Sequence, residues 1–105
     1  MPREQERVTY FKEVTIDLAS GRRQARISDI GPGGCFVDSI VSVTESEPVT
    51  IEISGLNGHP IKLTGKVAYT LAGIGFGLRF MNLASEEQAE VDKMVAELNR
   101  SKPST

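Results

Sequence analysis

Cysteine and histidine are almost absent from this sequence, and tryptophan is missing altogether. The 105 residues include one cysteine, Cys35, and one histidine, His59. A single cysteine excludes an internal disulfide, and a lone thiol between glycine and phenylalanine is typical of a small core residue. A cysteine nucleophile needs a histidine base, and a metal site needs several ligands at a recognisable spacing. We therefore predict a buried Cys35, a solvated His59 in a loop, and a protein that is neither an enzyme nor dependent on a metal or other cofactor.

Long hydrophobic runs are also missing. No apolar stretch approaches the roughly 18 to 20 residues that a membrane-spanning helix needs, and the N-terminal residues lack the apolar segment of a signal peptide. With 39% hydrophobic and 25% charged residues in a chain of 105, the composition is typical of one soluble globular domain. The expectation is a cytoplasmic protein without membrane insertion.

The sequence has no excess of positive charge. Its net charge of −2 argues against a general DNA- or RNA-binding protein, because such proteins usually present a strongly basic face. The charge is nevertheless uneven, since residues 1–26 contain six basic and four acidic side chains whereas residues 27–105 contain six and ten. A small anion would favour the first region.

Short segments of alternating hydrophobicity, separated by glycine-containing turns, fill most of the chain. Such segments predict β-strands, and their spacing favours a small barrel or sandwich of five or six antiparallel strands. The glycine-rich stretch at residues 73–77 precedes a strand-like segment rather than a helix, so it predicts a turn or bulge and not a phosphate-binding loop. The candidate strands are residues 14–18, 22–28, 35–40, 48–54, 61–71 and 75–81.

The pattern changes at Ser85. The run Ser85-Glu-Glu-Gln88 is typical of a capping box, in which the Ser85 hydroxyl and the Gln88 amide satisfy free backbone N–H groups. An apolar stripe with helical spacing follows and predicts a helix over about residues 86–100 that docks on the barrel, or alternatively binds a partner. Residues 101–105 are predicted to be a disordered tail. The stripe consists of Val91, Met94, Val95 and Leu98.

Two arginines lie four residues apart in the N-terminal run Arg3-Glu-Gln-Glu-Arg7. A planar guanidinium can donate two parallel hydrogen bonds to O6 and N7 of a guanine, stack on a base, or pair with a phosphate. A flexible segment over residues 1–10 that carries two such groups could therefore clasp an anionic, guanine-containing ligand. The alternative is that both arginines only make the N-terminal segment soluble, paired with neighbouring glutamates.

The run Asp29-Ile-Gly-Pro-Gly-Gly34 is the second candidate binding segment. The Asp29 carboxylate can accept hydrogen bonds from the N1–H and N2–H₂ edge of a guanine, or orient a nearby arginine. Glycines at 31, 33 and 34 allow positive φ and a close approach of backbone N–H groups to a ligand. By itself this pattern is an ordinary turn, but together with the arginine pair it predicts a ligand site.

These two segments resemble the signatures of the PilZ domain family, Arg-x-x-x-Arg near the start and Asp/Asn-x-Ser-x-x-Gly after the second strand. They correspond here to Arg3 and Arg7, and to Asp29, Gly31 and Gly34. The later run Gly75-Phe-Gly-Leu-Arg-Phe80 and the closing helix are also similar to the family. The resemblance implies an all-β fold with a C-terminal helix, in which a six-stranded antiparallel split β-barrel and the helix together span residues 11–100.

The resemblance also implies a function, because PilZ domains bind the bacterial second messenger cyclic di-GMP (c-di-GMP). Arg3 and Arg7 would then hold the guanines and phosphates, and Asp29 with Gly31, Gly33 and Gly34 would hold a guanine and the sugar-phosphate edge. Tyr69 lies near a position where some relatives carry an aromatic residue that stacks on a base. Gly31 replaces the family serine, and the lost hydroxyl predicts weaker binding by up to about tenfold.

Two functions follow from the resemblance. The first is a c-di-GMP receptor that changes conformation on binding and signals to an unidentified protein partner, in processes such as motility or biofilm formation. The second is a nucleotide-independent protein adaptor with a degenerate ligand site, because some PilZ-like domains lack the signatures and act in this way.

Overall fold

The computed structural model of the protein describes residues 7–55 and 58–101. This part of the chain forms an antiparallel β-barrel followed by one helix, which confirms the predicted fold class. The strands and the helix are, in chain order, β1 (Val8–Leu18), β2 (Gly21–Gly31), β3 (Gly34–Asp38), β4 (Pro48–Ser54), β5 (Pro60–Leu71), β6 (Gly75–Phe80) and α1 (Ser85–Ser101).

The strands close into a barrel in the order β1-β2-β3-β6-β5-β4. The last strand in this order pairs back onto the first, with Ile16 of β1 opposite Ile51 of β4. Away from the β-bulges, alternate residues of the strands point into the core, as the period of two predicts. Ile16, Phe76 and Leu78 are each fully buried there. Four neighbouring strands, β2, β3, β6 and β5, form the wall whose outer face carries the candidate site.

Strand β1 begins earlier than the sequence indicated. Val8 is buried and pairs with Ile30, so the barrel begins at residue 8 and not at the predicted residue 11. Residues 1–6 of the predicted flexible segment lie outside the described part of the chain. The register between β1 and β2 shifts between Thr9 and Lys12. This bulge interrupts the alternation of apolar and polar residues. The strand pattern in the sequence is therefore regular only from Val14 onward.

Helix α1 begins at Ser85 and ends at Ser101, within one residue of the predicted bounds. Its apolar stripe docks on the barrel as predicted, since Val91, Met94 and Val95 are buried in the common core. Each such burial stabilises the fold by roughly 1.5–3 kcal/mol. Of the predicted tail, residues 102–105 lie outside the described part of the chain.

The start of α1 differs from the predicted capping box. Because Ser85 is already helical, the capping position falls on Ala84, whose N–H donates to the Glu87 carboxylate at 2.9 Å. Glu87 is therefore the residue that reaches back to the cap. Gln88 is free of that role, and its side chain donates instead to the Pro32 carbonyl at 3.0 Å.

Within the described residues, no helix is long and apolar enough to cross a membrane. In the same ranges, no group of three or more His, Cys, Asp or Glu side chains is arranged to hold a metal ion. His59 is exposed and Cys35 is buried, as the sequence predicts for both residues.

Candidate functional site

The candidate site is built around the hairpin between β2 and β3, whose residues 31–34 we call the glycine loop. Gly31 pairs with Gly34, so Pro32 and Gly33 form a tight two-residue connection. The loop is anchored at its tip, because the Gly33 carbonyl accepts a hydrogen bond of 2.8 Å from the Phe80 N–H of β6. Together with the bond from Gln88 to Pro32, this contact fixes the loop against both β6 and α1.

The positive φ predicted as one reason for the glycines of the loop is not found. Among the described glycines, positive φ occurs at Gly21, Gly58 and Gly73, and not within residues 31–34. What requires glycine at position 34 is close packing, since a Cβ there would overlap the backbone carbonyl of Leu78. The lack of side chains therefore leaves a low, open surface beside β6.

Asp29 and Arg7 form an ion pair at the edge of this surface. The Arg7 guanidinium donates to Oδ1 of Asp29 at 3.0 Å, and the backbone N–H of Phe36 donates to the same oxygen at 3.1 Å. The β2–β3 register shifts between Ile27 and Asp29, and this bulge sets the carboxylate above the β3 backbone. Both side chains are about one third exposed, at 29% for Arg7 and 32% for Asp29, so a ligand can reach them.

These residues border one open groove of about 910 Å³ on the outer wall of the barrel. Ligand sites usually have volumes of roughly 300–1,000 Å³, and the volume of this groove lies within that range. The sequence-predicted residues within the described chain all line it, namely Arg7, Asp29, Gly31, Gly33, Gly34 and Tyr69. Ala68, Leu78, Arg79 and Phe80 complete the lining. Arg3 lies outside the described residues.

Tyr69 lies at the opposite side of the groove from Asp29. The strand register aligns Asp29, Phe36, Gly77 and Tyr69 in one row across β2, β3, β6 and β5. The Tyr69 ring covers Gly77, where a Cβ would overlap it, and its centroid is 6.2 Å from that of Phe36. Tyr69 remains 40% exposed, so one ring face is accessible to a planar group.

Arg79 is a groove residue that was not predicted as part of the site. It lies opposite Gly34 on one side and Lys66 on the other. The signal was present in the sequence, because Phe76, Leu78 and Phe80 alternate toward the core and leave Arg79 on the outer face. What the sequence could not supply is the strand order that brings β6 next to β3.

Cys35 lies beneath the groove and is inert there. Burial raises the pKa of the Cys35 thiol from 9.0 to about 12, while the nearby charge of Arg7 lowers the pKa and that of Asp29 raises it. A thiol with this pKa is neutral at physiological pH and is a poor nucleophile.

The groove as a whole combines arginines, one carboxylate, an aromatic face and a glycine surface, a set suited to holding a planar anion.

Comparison with known proteins agrees with this architecture. The PilZ domain of YcgR from Escherichia coli, solved with c-di-GMP, aligns with a TM-score of 0.75 and 15% identity over 95% of this chain and 93% of that chain. The PilZ domain of CeSA from a cellulose synthesizing bacterium aligns with a TM-score of 0.70 and 19% identity, over 90% and 98% of the two chains. At these identities the likeness shows the fold.

A third solved structure, the MrkH–c-di-GMP complex from K. pneumonia, has a TM-score of 0.75 and 13% identity, and the alignment covers 95% of this chain and 52% of that chain. This chain therefore spans about half the length of MrkH. No curated protein sequence matches it. The family model described as PilZ domain matches residues 2–97, which is nearly the whole chain, and the protein therefore belongs to the PilZ domain family.

Proposed function

We propose that this protein is a c-di-GMP receptor. The observation that carries the proposal is the convergence of Arg7, Asp29 and the glycine loop on one groove, although 22 residues separate the two charged side chains along the chain. Structural neighbours that are described with c-di-GMP, the YcgR domain and MrkH, support the same ligand.

The groove offers a distinct contact for each part of the nucleotide. Asp29 accepts hydrogen bonds from the N1–H and N2–H₂ edge of one guanine, and Arg7 pairs with a phosphate or with O6 and N7 of a guanine. Tyr69 stacks on a base with its exposed face. Arg3 is proposed to close over the ligand together with Arg7. Charge-assisted contacts of this kind contribute about 1.5–3 kcal/mol each.

Binding is also proposed to change the surface that a partner protein meets. In the free protein Arg7 is held by Asp29, so a guanine that takes up the Asp29 carboxylate redirects the Arg7 side chain toward the ligand. Arg7 directly precedes β1, and its movement repositions the N-terminal segment. Signalling to a partner is then proposed to begin with this rearranged N-terminal region.

One observation favours a second candidate function, a nucleotide-independent adaptor. Gly31 lines the groove at the position of the family serine, and the missing hydroxyl removes a hydrogen bond worth about 0.5–1.5 kcal/mol. If the loss of this hydrogen bond abolished nucleotide binding, the barrel would act only through surfaces that bind a partner protein. Capture of the same partner with and without c-di-GMP, and equally by an Arg7→Ala variant, would support the adaptor.

Isothermal titration calorimetry with c-di-GMP, linear pGpG and GTP tests the receptor. We expect saturable binding of the cyclic dinucleotide, weaker binding of the linear one and none of GTP, because only the cyclic ligand presents two guanines with two internal phosphodiesters in a preorganised shape. Absence of heat with c-di-GMP at protein concentrations of tens of micromolar would overturn the proposal.

A further inference from the structure

The outer wall of the barrel carries a second row of aligned residues next to the row that contains Asp29 and Tyr69. The strand register places Gly31 opposite Gly34, Gly34 opposite Arg79, and Arg79 opposite Lys66. The row thus runs from two glycines to two cations, with Gly34 as the direct neighbour of Arg79. Gly31, Gly34 and Arg79 all line the groove, and the two glycines place no side chain next to the Arg79 guanidinium.

The charge of Arg79 is not neutralised by a neighbour. Within residues 7–55 and 58–101, Arg7, Arg22, Arg26 and Arg100 each form an ion pair with a carboxylate. No carboxylate of the same ranges lies within ion-pair distance of Arg79, whose exposed side chain lines the groove. Since Asp29 offsets Arg7, the net positive charge of the described groove lining comes from Arg79.

We propose that Arg79 is a third ligand-binding arginine and that it contacts a phosphodiester of the bound nucleotide. This inference rests on the proposed function and names the group that Arg79 recognises. Asp29 and Tyr69 lie in the row suited to guanines, whereas Arg79 lies in the adjacent row above a glycine surface. A phosphate with its negative charge and several acceptor oxygens fits that position, because it needs a cation and an unobstructed approach.

If Arg79 binds the ligand through its charge, substitutions that remove the charge and substitutions that keep it should have different effects on affinity. Arg79→Ala removes the cation, and we expect c-di-GMP to bind roughly tenfold more weakly or worse, as for other lost charge-assisted contacts. Arg79→Lys keeps the charge, and lysine also binds phosphate as a point charge, so binding should remain within about threefold of the unsubstituted protein. The salt dependence of the affinity should decrease in Arg79→Ala, because one charge contact has been lost.

Arg23→Ala is the matched control. Arg23 is an exposed strand arginine on β2 that lies outside the groove, and no carboxylate of the described residues lies within ion-pair distance of it. Its removal changes the net charge by the same amount as Arg79→Ala, so it separates a local contact from a general electrostatic effect. We expect Arg23→Ala to bind within about twofold of the unsubstituted protein. Thermal melting of each variant checks that the barrel is intact.

The experiment is a calorimetric titration of the full chain and these three variants with c-di-GMP at low and high salt. Weak binding by Arg79→Ala, with near-normal binding by Arg79→Lys and Arg23→Ala, supports the inference. Equal affinities of Arg79→Ala and Arg23→Ala overturn it while leaving the receptor function intact. Equally weak binding by Arg79→Ala and Arg79→Lys overturns the phosphate assignment. Failure of the unsubstituted protein to bind overturns the proposed function and this inference with it.

Discussion

The side chain of Gln88 donates a hydrogen bond of 3.0 Å to the carbonyl oxygen of Pro32 and so joins α1 to the glycine loop. The same amide donates to Asp92 one helical turn later, also at 3.0 Å. Gln88 is partly buried between the two elements. We therefore expect that a ligand which displaces the loop would also disturb the first turns of the helix through this side chain.

Replacement of Gln88 by alanine should uncouple the loop from α1. We expect the unfolding free energy to fall by about 1–3 kcal/mol, the net contribution of the two hydrogen bonds that the Gln88 side chain donates. Hydrogen exchange of residues 85–92 should respond to c-di-GMP in the unsubstituted protein and not in the variant. Ala89→Ser, an exposed change on the same helix, is the control. An identical response in Gln88→Ala would contradict coupling through this contact.

Replacement of Asp29 by asparagine should weaken ligand binding more than it weakens the fold. The amide oxygen can still accept from the Phe36 N–H, whereas the charge that attracts a guanine edge is lost. We expect at least about tenfold weaker c-di-GMP binding. Stability should change by less than about 1 kcal/mol, because the ion pair with Arg7 is partly exposed.

Asp17→Asn is the matched control for this change, since Asp17 pairs with Arg22 at 3.5 Å and does not line the groove. Its affinity should equal that of the unsubstituted protein. Calorimetry and urea denaturation of both variants separate the two effects, and unchanged affinity in Asp29→Asn would remove Asp29 from the site.

Restoring the family serine at position 31 should strengthen binding. The added hydroxyl supplies a hydrogen-bond partner in the groove, which predicts equal affinity or a gain of up to about tenfold. The serine also restricts the loop in the unbound state, and this restriction lowers the entropic cost of binding. Calorimetry of Gly31→Ser measures the gain, and a clear loss of affinity would show that glycine is required there.

Substitution of Gly77 by alanine should displace Tyr69. The new Cβ would overlap the Tyr69 ring, which lies at the end of an exposed side chain and can rotate away. Gly77→Ala and Tyr69→Ala are therefore expected to weaken binding by similar factors, of about 5-fold to 100-fold for one lost stacking contact. The affinities of both variants, measured together with their melting temperatures, check this equivalence. Strong binding by either variant would argue against stacking on Tyr69.

The buried thiol predicts a dependence of stability on pH. Because burial raises the pKa of Cys35 from 9.0 to about 12, the fold favours the neutral thiol. The stabilisation is fully present below pH 9 and decreases as the pH rises from 9 toward 12, by at most about 1.4 kcal/mol per pH unit. Urea midpoints of the unsubstituted protein and Cys35→Ala should converge over this range. If the urea midpoints of the two proteins change in parallel with pH, the attribution of the pH dependence to Cys35 is contradicted.

The sequence predicted the parts of the structure that depend on local pattern. Ile16, Phe76 and Val91 lie in segments whose period of two or 3.6 residues matched the buried face of a strand or helix. The sequence also identified Asp29 and Gly34 as candidate site residues, but it placed Asp29 after the second strand, whereas β2 extends to Gly31 and contains Asp29. Their placement in one groove with Arg7 follows from the hairpin and from the pairing of β1 with β2.

The features that were missed depend on register and on contacts between distant strands. Alternation of apolar and polar residues could not identify Val8 as part of β1, because the bulge between Thr9 and Lys12 interrupts the period of two. Arg79 joins the site only because β6 pairs with β3, and chain order does not reveal that neighbour. The capping position moved because one additional residue at the start of α1 adopted helical geometry.

A two-dimensional amide NMR titration with c-di-GMP tests the central claim most directly, because it reports binding and its location together. We predict concerted, saturable shifts of the amides of Arg7, Asp29 and the glycine loop, with little change at the hairpin turn near Gly21 on the opposite part of β2. Absence of shifts at saturating nucleotide, or shifts confined to residues outside the groove, would contradict the account.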